Sequence, residues 1–491
     1  MTKLKHSLFV ALLAISAISC EDILTDVKPA TSLTGDAVLS TAAGVEALRA
    51  SMYSKIRANF GYTTLYLLGP SALADETRNR PGQSRFDDLN TNSSTDGRTS
   101  SLTEWGGTYS IILDANLLIN NIPDGVLAAG LKERYRGEAL AIRAFAMHHL
   151  ARTISYEPTQ TAARGFDLSI VIRTTPTVIA ADADNRPRST VAEVYTQIRA
   201  DIAEAKTLLA GVTATNTNNV YANLNFVQAL EARVELYAGN WSAASTAAQA
   251  AITGSGRSLA NTATAVANMF SRATSVETIF RITPNANTEQ IGGSNVNNGP
   301  AAYTSDQWVA QIPTQKVLGL YAAGDHRLAG WYIPCFNRAG NAAAPGCGTV
   351  NTAGVALAKY YGRNTNLSDD LHYMRLGELY LIWAEAAAKA ANDPNAGVAP
   401  LTTLRTARNA GAVPAGALAS MADFENFILE ERMRELVGEG HRFYDLKRLG
   451  RDIVNVDNSV KIRADSYRML GYIPAGVISL PGSLITQNPG Y

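Results

Sequence analysis

Leu236-Tyr237-Ala238-Gly239-Asn240-Trp241 is the stretch whose reading decides the fold. Before it, Ala229 and Val234 belong to a helical pattern that runs from Asn219 to Ala238. After it, Ala243, Ala244, Ala247, Ala248, Ala251 and Ile252 recur at three-to-four spacing, the period of one helix face. A Gly-Asn pair ends the first helix, and Trp241 follows at the turn. Small residues let two antiparallel helices approach closely, and the indole fills the notch between them. The expectation is a tight helical hairpin.

The pattern extends in both directions. Helical runs are predicted over about 40–59, where Val45, Leu48, Met52 and Ile56 share a face, over 104–122, ending at Pro123, and over 130–154 and 190–209. A second hairpin is predicted from Leu371 to Lys389 and Ala396 to Arg408, broken at Asn392-Asp393-Pro394. A further helix covers Phe424 to Val437. Hairpins stacked in this way are the logic of a tetratricopeptide-like array. Two parts lose the helical period, about 60–103 and 255–370, where Gly, Asn, Thr and Pro accumulate. The predicted fold is therefore mainly all-α, with helical pairs over about 40–59, 104–254 and 371–450. The loop-rich insertion is expected to carry function, because long irregular segments in a compact chain are seldom idle. Residues 40–491 are expected to form a single domain.

Lys+Arg and Asp+Glu are equal at 43 each, so no global field draws in nucleic acid or an anionic bilayer. A neutral ligand suits that balance. At the N-terminus, Lys3 and Lys5 precede an apolar run from Ser7 to Ile18, too short for a stable membrane span. Ala17, Ile18 and Ser19 then lead directly into Cys20. This resembles a bacterial lipoprotein signal over residues 1–19, with Cys20 as the lipidated first residue of a tether over 20–39. A plain secretory signal with an incidental cysteine is the alternative. Glu21 and Asp22 resemble surface-export tags of Bacteroidetes-type lipoproteins. With Cys20 set aside, Cys335 and Cys347 flank a stretch without helical period, and in an oxidising compartment that pair reads as a disulfide. Two free thiols are the alternative.

Four segments together resemble the SusD/RagB family of nutrient-uptake lipoproteins. They are Trp105-x-x-x-Tyr109-x-x-Ile112-x-x-Ala115-Asn116; Glu138-Ala139-Leu140-x-x-Arg143-Ala144-Phe145; Tyr373-Met374-Arg375-Leu376-Gly377-Glu378 running on to Glu385; and Ile428 to Leu436 followed by Glu439-Gly440-His441-Arg442-Phe443-Tyr444-Asp445. The lipoprotein start and the ending Gln487-Asn488-Pro489-Gly490-Tyr491 fit as well. The resemblance implies a lipid-anchored protein on the outer membrane of a Gram-negative cell. It implies capture of an oligosaccharide and delivery to a TonB-dependent, SusC-like transporter, without catalysis, cofactor, metal or nucleic acid. A tetratricopeptide-type periplasmic adaptor for protein partners and a glycoside hydrolase are the competing readings. His441, Arg442 and Asp445 suggest an active site; a polar network locking a helix end accounts for them better, and for Arg143, Arg375, Glu378 and Glu385.

No zinc-protease motif, nucleophile elbow or phosphate-binding loop is present. His148 and His149 are neighbours on a helix and point apart. Glycoside hydrolysis needs two carboxylates at the right separation. Asp75 with Glu76, or Asp369 with Asp370, are candidates that read more readily as solvated turns. Sugar rings stack on flat aromatic faces while their hydroxyls take amide, carboxylate and guanidinium partners. Trp241 and Trp383 fall on helices and are expected in the core. Trp105, Trp308 and Trp331 lie in or beside loops with Tyr303, Tyr332, Arg78, Asn79 and Arg80, and make up the expected ligand platform. An ordinary partly buried anchor is the alternative for each tryptophan.

Overall fold

The computed structural model describes residues 38–61, 66–79, 102, 104–178, 183–213, 219–270, 275–283, 311–335, 353–360, 370–455 and 457–491. Its helical frame begins with α1 (Ala42–Ile56), α2 (Leu68–Leu73), strand β1 (Thr77–Asn79), α3 (Trp105–Asn120) and α4 (Leu131–Ile154). It continues with α5 (Val191–Leu208), α6 (Leu224–Ala238) and α7 (Trp241–Gly254). Gly239 ends α6 with φ +79°, a left-handed conformation that glycine adopts without a Cβ penalty. Its amide caps the carbonyls of Glu235 and Leu236. Ala244, Ala247, Ala248 and Ala251 are buried along α7, which packs on α6. The hairpin is therefore as the small-residue stripe indicated.

Local chemistry fixes the helix starts. Thr190 accepts from the Glu193 amide while Glu193 accepts from the Thr190 amide, a reciprocal cap that opens α5. Asn223 caps α6 through the Phe226 amide. Each helix packs on the next: α1 on α3, α3 on α4, α4 on α5, α5 on α6 and α6 on α7.

Strand β2 (Thr278–Ile282) pairs antiparallel with a later strand, Leu371–Arg375. Here the structure corrects the sequence reading, which began a helix at Leu371. All five residues of that strand are buried, His372 and Arg375 included, so no in-out alternation separates strand from helix there. In chain order, β3 (Gln311–Pro313), β4 (Tyr332–Pro334) and β5 (Val355–Leu357) precede it, so Leu371–Arg375 becomes β6. Helix α8 (Leu376–Ala391) then follows at once and packs on α7, α9 (Val398–Ala407) and α10 (Met421–Leu436). Helix α11 (Arg442–Arg448) and the hairpin of β7 (Ile453–Val454) and β8 (Val460–Ile462) complete the chain of elements used below.

Buried arginine–carboxylate forks pin the frame. Arg49 on α1 reaches Glu138 on α4 at 2.7 and 3.0 Å, and Arg143 on α4 reaches Asp201 on α5 at 2.7 and 2.6 Å. Arg233 on α6 meets Glu378 on α8 at 2.7 and 2.6 Å, and Arg448 on α11 meets Glu385 at 2.6 and 2.7 Å. Two parallel bonds per pair fix orientation as well as charge.

The carboxylates of Glu431, Glu435 and Glu439 form a second, denser spine. Arg375 donates to Glu435 at 2.6 Å and to Glu439 at 2.7 and 2.6 Å. Arg408 donates to Glu435, Arg327 to Glu431 and Glu435, and Lys359 to Glu439. Arg327 and Lys359 come from the irregular part of the chain, so that part is bolted to α10 through buried charge. Leaving one such charge without its partner costs about 3–5 kcal/mol.

The C-terminal motif is a clasp. Gln487 accepts from the Ile473 amide at 2.8 Å and donates to its carbonyl at 2.9 Å, like a short strand pairing. Asn488 donates to the carbonyls of Ile154, at the end of α4, and Gly471. Gly490, at φ +83°, lies where a Cβ would enter the Tyr467 ring.

Candidate ligand-binding site

Helix α2 ends against a lysine. Lys461 on β8 donates to the carbonyls of Ala72 and Leu73, both at 2.9 Å, and so satisfies the open carbonyls at the end of the helix, while burial holds its ammonium well below the usual lysine range. The chain then enters Asp75-Glu76-Thr77-Arg78-Asn79. Asp75 takes Nε and Nη2 of Arg442 at 2.7 and 2.9 Å and Nζ of Lys316 at 2.7 Å. Burial pushes its carboxyl upward, but Arg442 and Lys316 outweigh that and hold it well below the usual carboxylate range. Glu76 faces the interior, where the Ser71 hydroxyl and the Gly438 amide donate to it. No cation among the described residues is bonded to it, and burial pushes its carboxyl up to about 7.

These anchors carry β1 onto β3, with Thr77 opposite Pro313, Arg78 opposite Ile312 and Asn79 opposite Gln311. Gln311 accepts from the Thr77 hydroxyl at 2.9 Å and donates to the side-chain oxygen Oδ1 of Asn79. Arg78 is half-buried; it donates to the carbonyls of Ala74 and Thr77 and, at 3.4 Å, to Asn455 beside β7. Strands β1 and β3 and the β7–β8 hairpin thus gather at one rim. A cleft of about 350 Å³ opens beside it, lined by Asp75, Lys316, Asn426, Glu430, Arg442 and Arg451 together with apolar side chains such as Leu320, Leu429, Met433 and Leu446. Asp75, Lys316 and Arg442 are bonded to one another there, while carboxylate, amide and cation groups on a partly apolar wall are the kinds of partner a hydroxyl-rich ligand takes.

A second cleft, of about 370 Å³, runs along α3 past Tyr109, Asn116 and Arg173. Its polar groups are mostly engaged. The Tyr109 hydroxyl donates to the Val171 carbonyl and accepts from the Val171 amide, and Asn116 donates to the carbonyls of Arg173 and Thr175. Asn116 also accepts from Arg143 at 2.8 Å. These two motif residues fasten an extended segment to α3.

The expected platform residues separate into three groups. Arg78 and Asn79 stand on β1 at the rim. Arg80, Tyr303 and Trp308 lie outside the described residues, as do Cys20 and Cys347; Cys335 is disulfide-bonded. Trp105, Trp331 and Tyr332 are corrected: at 7, 0 and 7 % exposure they have no ring face to give a ligand. Trp105 packs 5.1 Å from Tyr109. Trp331 donates to the Val266 carbonyl at 3.0 Å, and the Lys359 ammonium sits 3.9 Å over its ring. The Tyr332 hydroxyl is 2.9 Å from that of Tyr321. The short helix His326–Trp331 turns its last residue inward, and loop context alone does not reveal that.

The helical tryptophans reverse the expectation too. Trp241 and Trp383 are only partly buried against the core. Asp75 and Glu76 are buried rather than solvated, and so is Asp370. Sequence reasoning missed Gln311, Lys316 and Lys461 altogether. The pairings that give them meaning span hundreds of residues, and no local pattern marks them.

The model described as "SusD family" matches residues 336–491, and one described as "Starch-binding associating with outer membrane" matches residues 26–236. A SusD-like protein of Formosa agariphila is 23% identical over 498 residues, covering 91% of each chain. A SusD superfamily protein from Bacteroides thetaiotaomicron superposes with a TM-score of 0.75 at 24% identity, over 91% of this chain and 100% of that one. A structure titled putative sugar binding protein, from Bacteroides vulgatus, gives 0.76 at 24% identity over 92% and 99%. A laminarin binding SusD-like protein gives 0.70 at 20% identity over 92% and 100%. At these identities the solved structures establish the shared, mainly helical fold.

Proposed function

The chain belongs to the SusD/RagB family, and from that premise we propose that it is a cell-surface binding lipoprotein. It captures an oligosaccharide and passes it to a SusC-like, TonB-dependent transporter in the outer membrane. The observation that carries this reading is the β1–β3 ladder. It seats Arg78 and Asn79 beside Gln311 at one rim, and in the sequence Trp308 stands three positions before Gln311. The cleft next to it, part polar and part apolar, suits a sugar's hydroxyls and ring faces, and the starch-binding description of the matched family favours a carbohydrate. Anchoring is through Cys20, with the acidic pair Glu21-Asp22 as the address for the outer face.

The test is a glycan array probed with protein lacking residues 1–20, alongside Arg78→Ala and Trp308→Ala. Retention of a defined oligosaccharide, weakened at least tenfold in both variants, is expected. Pull-down from solubilised outer membranes is expected to recover a large β-barrel transporter. Failure of every glycan at millimolar concentration, with stoichiometric recovery of a periplasmic protein instead, overturns the reading in favour of an adaptor.

A further inference from the structure

Deep in the helical frame lies a guanidinium that no carboxylate of the described residues meets. Arg152, in the last turn of α4, is buried. Its Nη2 lies 3.2 Å from Nδ1 of His149, and the rings of Tyr444 and Tyr66 face it at 4.2 and 5.4 Å. Nε and Nη1 have no partner among the described residues. The neighbouring cations are matched: Arg233 by Glu378, Arg448 by Glu385, Arg432 by Asp445 and Lys447 by Glu157. Arg152 is left over. Arginine does not shed its proton in proteins, so this charge stays in the interior.

The groups around it are also unfinished. Arg432 gives Nε to Asp445 at 2.8 Å, while its Nη1 and Nη2 are buried without partners among the described residues. The Tyr237 hydroxyl is buried and unpartnered in the same sense, and it lies within electrostatic reach of both Arg152 and Arg432. The local field is positive. Burial first, and the guanidinium groups next, hold His148, His149 and His441 well below the usual imidazole range. A metal cation is unsuited to a cluster of N–H and O–H donors. Water satisfies donors without cancelling charge, and an uncompensated buried charge costs several kcal/mol.

We infer that Arg152, Arg432 and Tyr237 enclose a small inorganic anion of halide size, bound where α4, α6, α10 and α11 converge. Such an ion neutralises Arg152 and takes up the idle donors at once. The site is independent of glycan capture.

Co-crystallisation with sodium bromide in place of chloride tests this directly. An anomalous bromine peak within hydrogen-bonding distance of Arg152 Nη1 is expected. The melting temperature should rise with bromide or chloride at constant ionic strength and stay flat with gluconate, an anion too large to be enclosed. Arg152→Met keeps the side chain's length without its charge, and should lose both the peak and the halide response. Water alone at the site, a halide response of equal size in the variant, or a peak with no thermal effect (an adventitious ion only) each overturns the proposal. Should Arg152→Met fail to fold, the wild-type crystals and titration decide by themselves.

Discussion

Asp75 and Arg442 lie 367 positions apart in the chain and form a two-point ion pair, at 2.7 and 2.9 Å, in the wall of the cleft beside the β1–β3 rim. Through it the strand that carries Arg78 and Asn79 is tied to α11, the most motif-rich part of the sequence. Lys316, on the short helix after β3, shares the same carboxylate. One anion thus fixes both strands of the rim against the C-terminal helices.

Asp75→Asn should therefore destabilise the protein by about 3–5 kcal/mol, because Arg442 stays buried without its counter-charge. Urea denaturation measures this. The double variant Asp75→Asn/Arg442→Met should lose less than the two single losses combined, since the two residues interact directly.

Glu76 gives a pH dependence of definite sign. Its folded-state pKa, about 7, lies above the ordinary value of 4.5. Between those values the native state binds more protons than the unfolded chain. The group's contribution is fully present below about pH 4.5 and is lost as pH rises through 7. Glu76→Gln stays neutral throughout, so its stability relative to wild type should improve by about 3 kcal/mol between pH 4.5 and 8. Urea midpoints across that range check the trend; a constant difference would contradict it.

Gly377 sits inside the ionic spine. A Cβ there would lie 2.3 Å from Arg375 Nη1 and 2.4 Å from Glu435 Oε1. Gly377→Ala should force that pair apart and cost about 3 kcal/mol or more, despite alanine's better helix propensity. A fall in melting temperature measures the effect.

Trp331 and Arg78 should separate stability from binding. Trp331→Ala empties a sealed core position and should cost about 3–5 kcal/mol. Arg78→Ala, at the half-buried rim, should shift the melting temperature little while weakening glycan affinity at least tenfold. Calorimetric titration beside thermal unfolding distinguishes the two. Equal affinity losses per unit of destabilisation would place both residues in the scaffold.

Much of the frame was legible because its signals are local. Gly239-Asn240 and the alanine stripe announced the α6–α7 hairpin, and Pro123 and Asn392-Asp393-Pro394 marked helix ends. Of the polar motif residues expected to form a structural network, Arg143, Arg375, Glu378, Glu385, Arg442 and Asp445 join separate elements, whereas His441 Nδ1 has no hydrogen-bond partner among the described residues. What failed was the sorting of tryptophans by context. Trp331 and Trp105 are buried while Trp241 and Trp383 are partly exposed. Whether a residue lies in a loop or a helix says little about which side the rest of the chain covers.

The sequence by itself determined the helices, the turns between them and the family, because period, capping and motif order act over a few residues at a time. Tertiary structure alone decided which charges meet and which rings are sealed. Those outcomes depend on loop closures across hundreds of residues and on the desolvation each closure brings. The Arg78–Asn79 rim exists because Gln311, Lys316, Arg442 and Lys461 come to it from far along the chain, where burial makes each ion pair and hydrogen bond count.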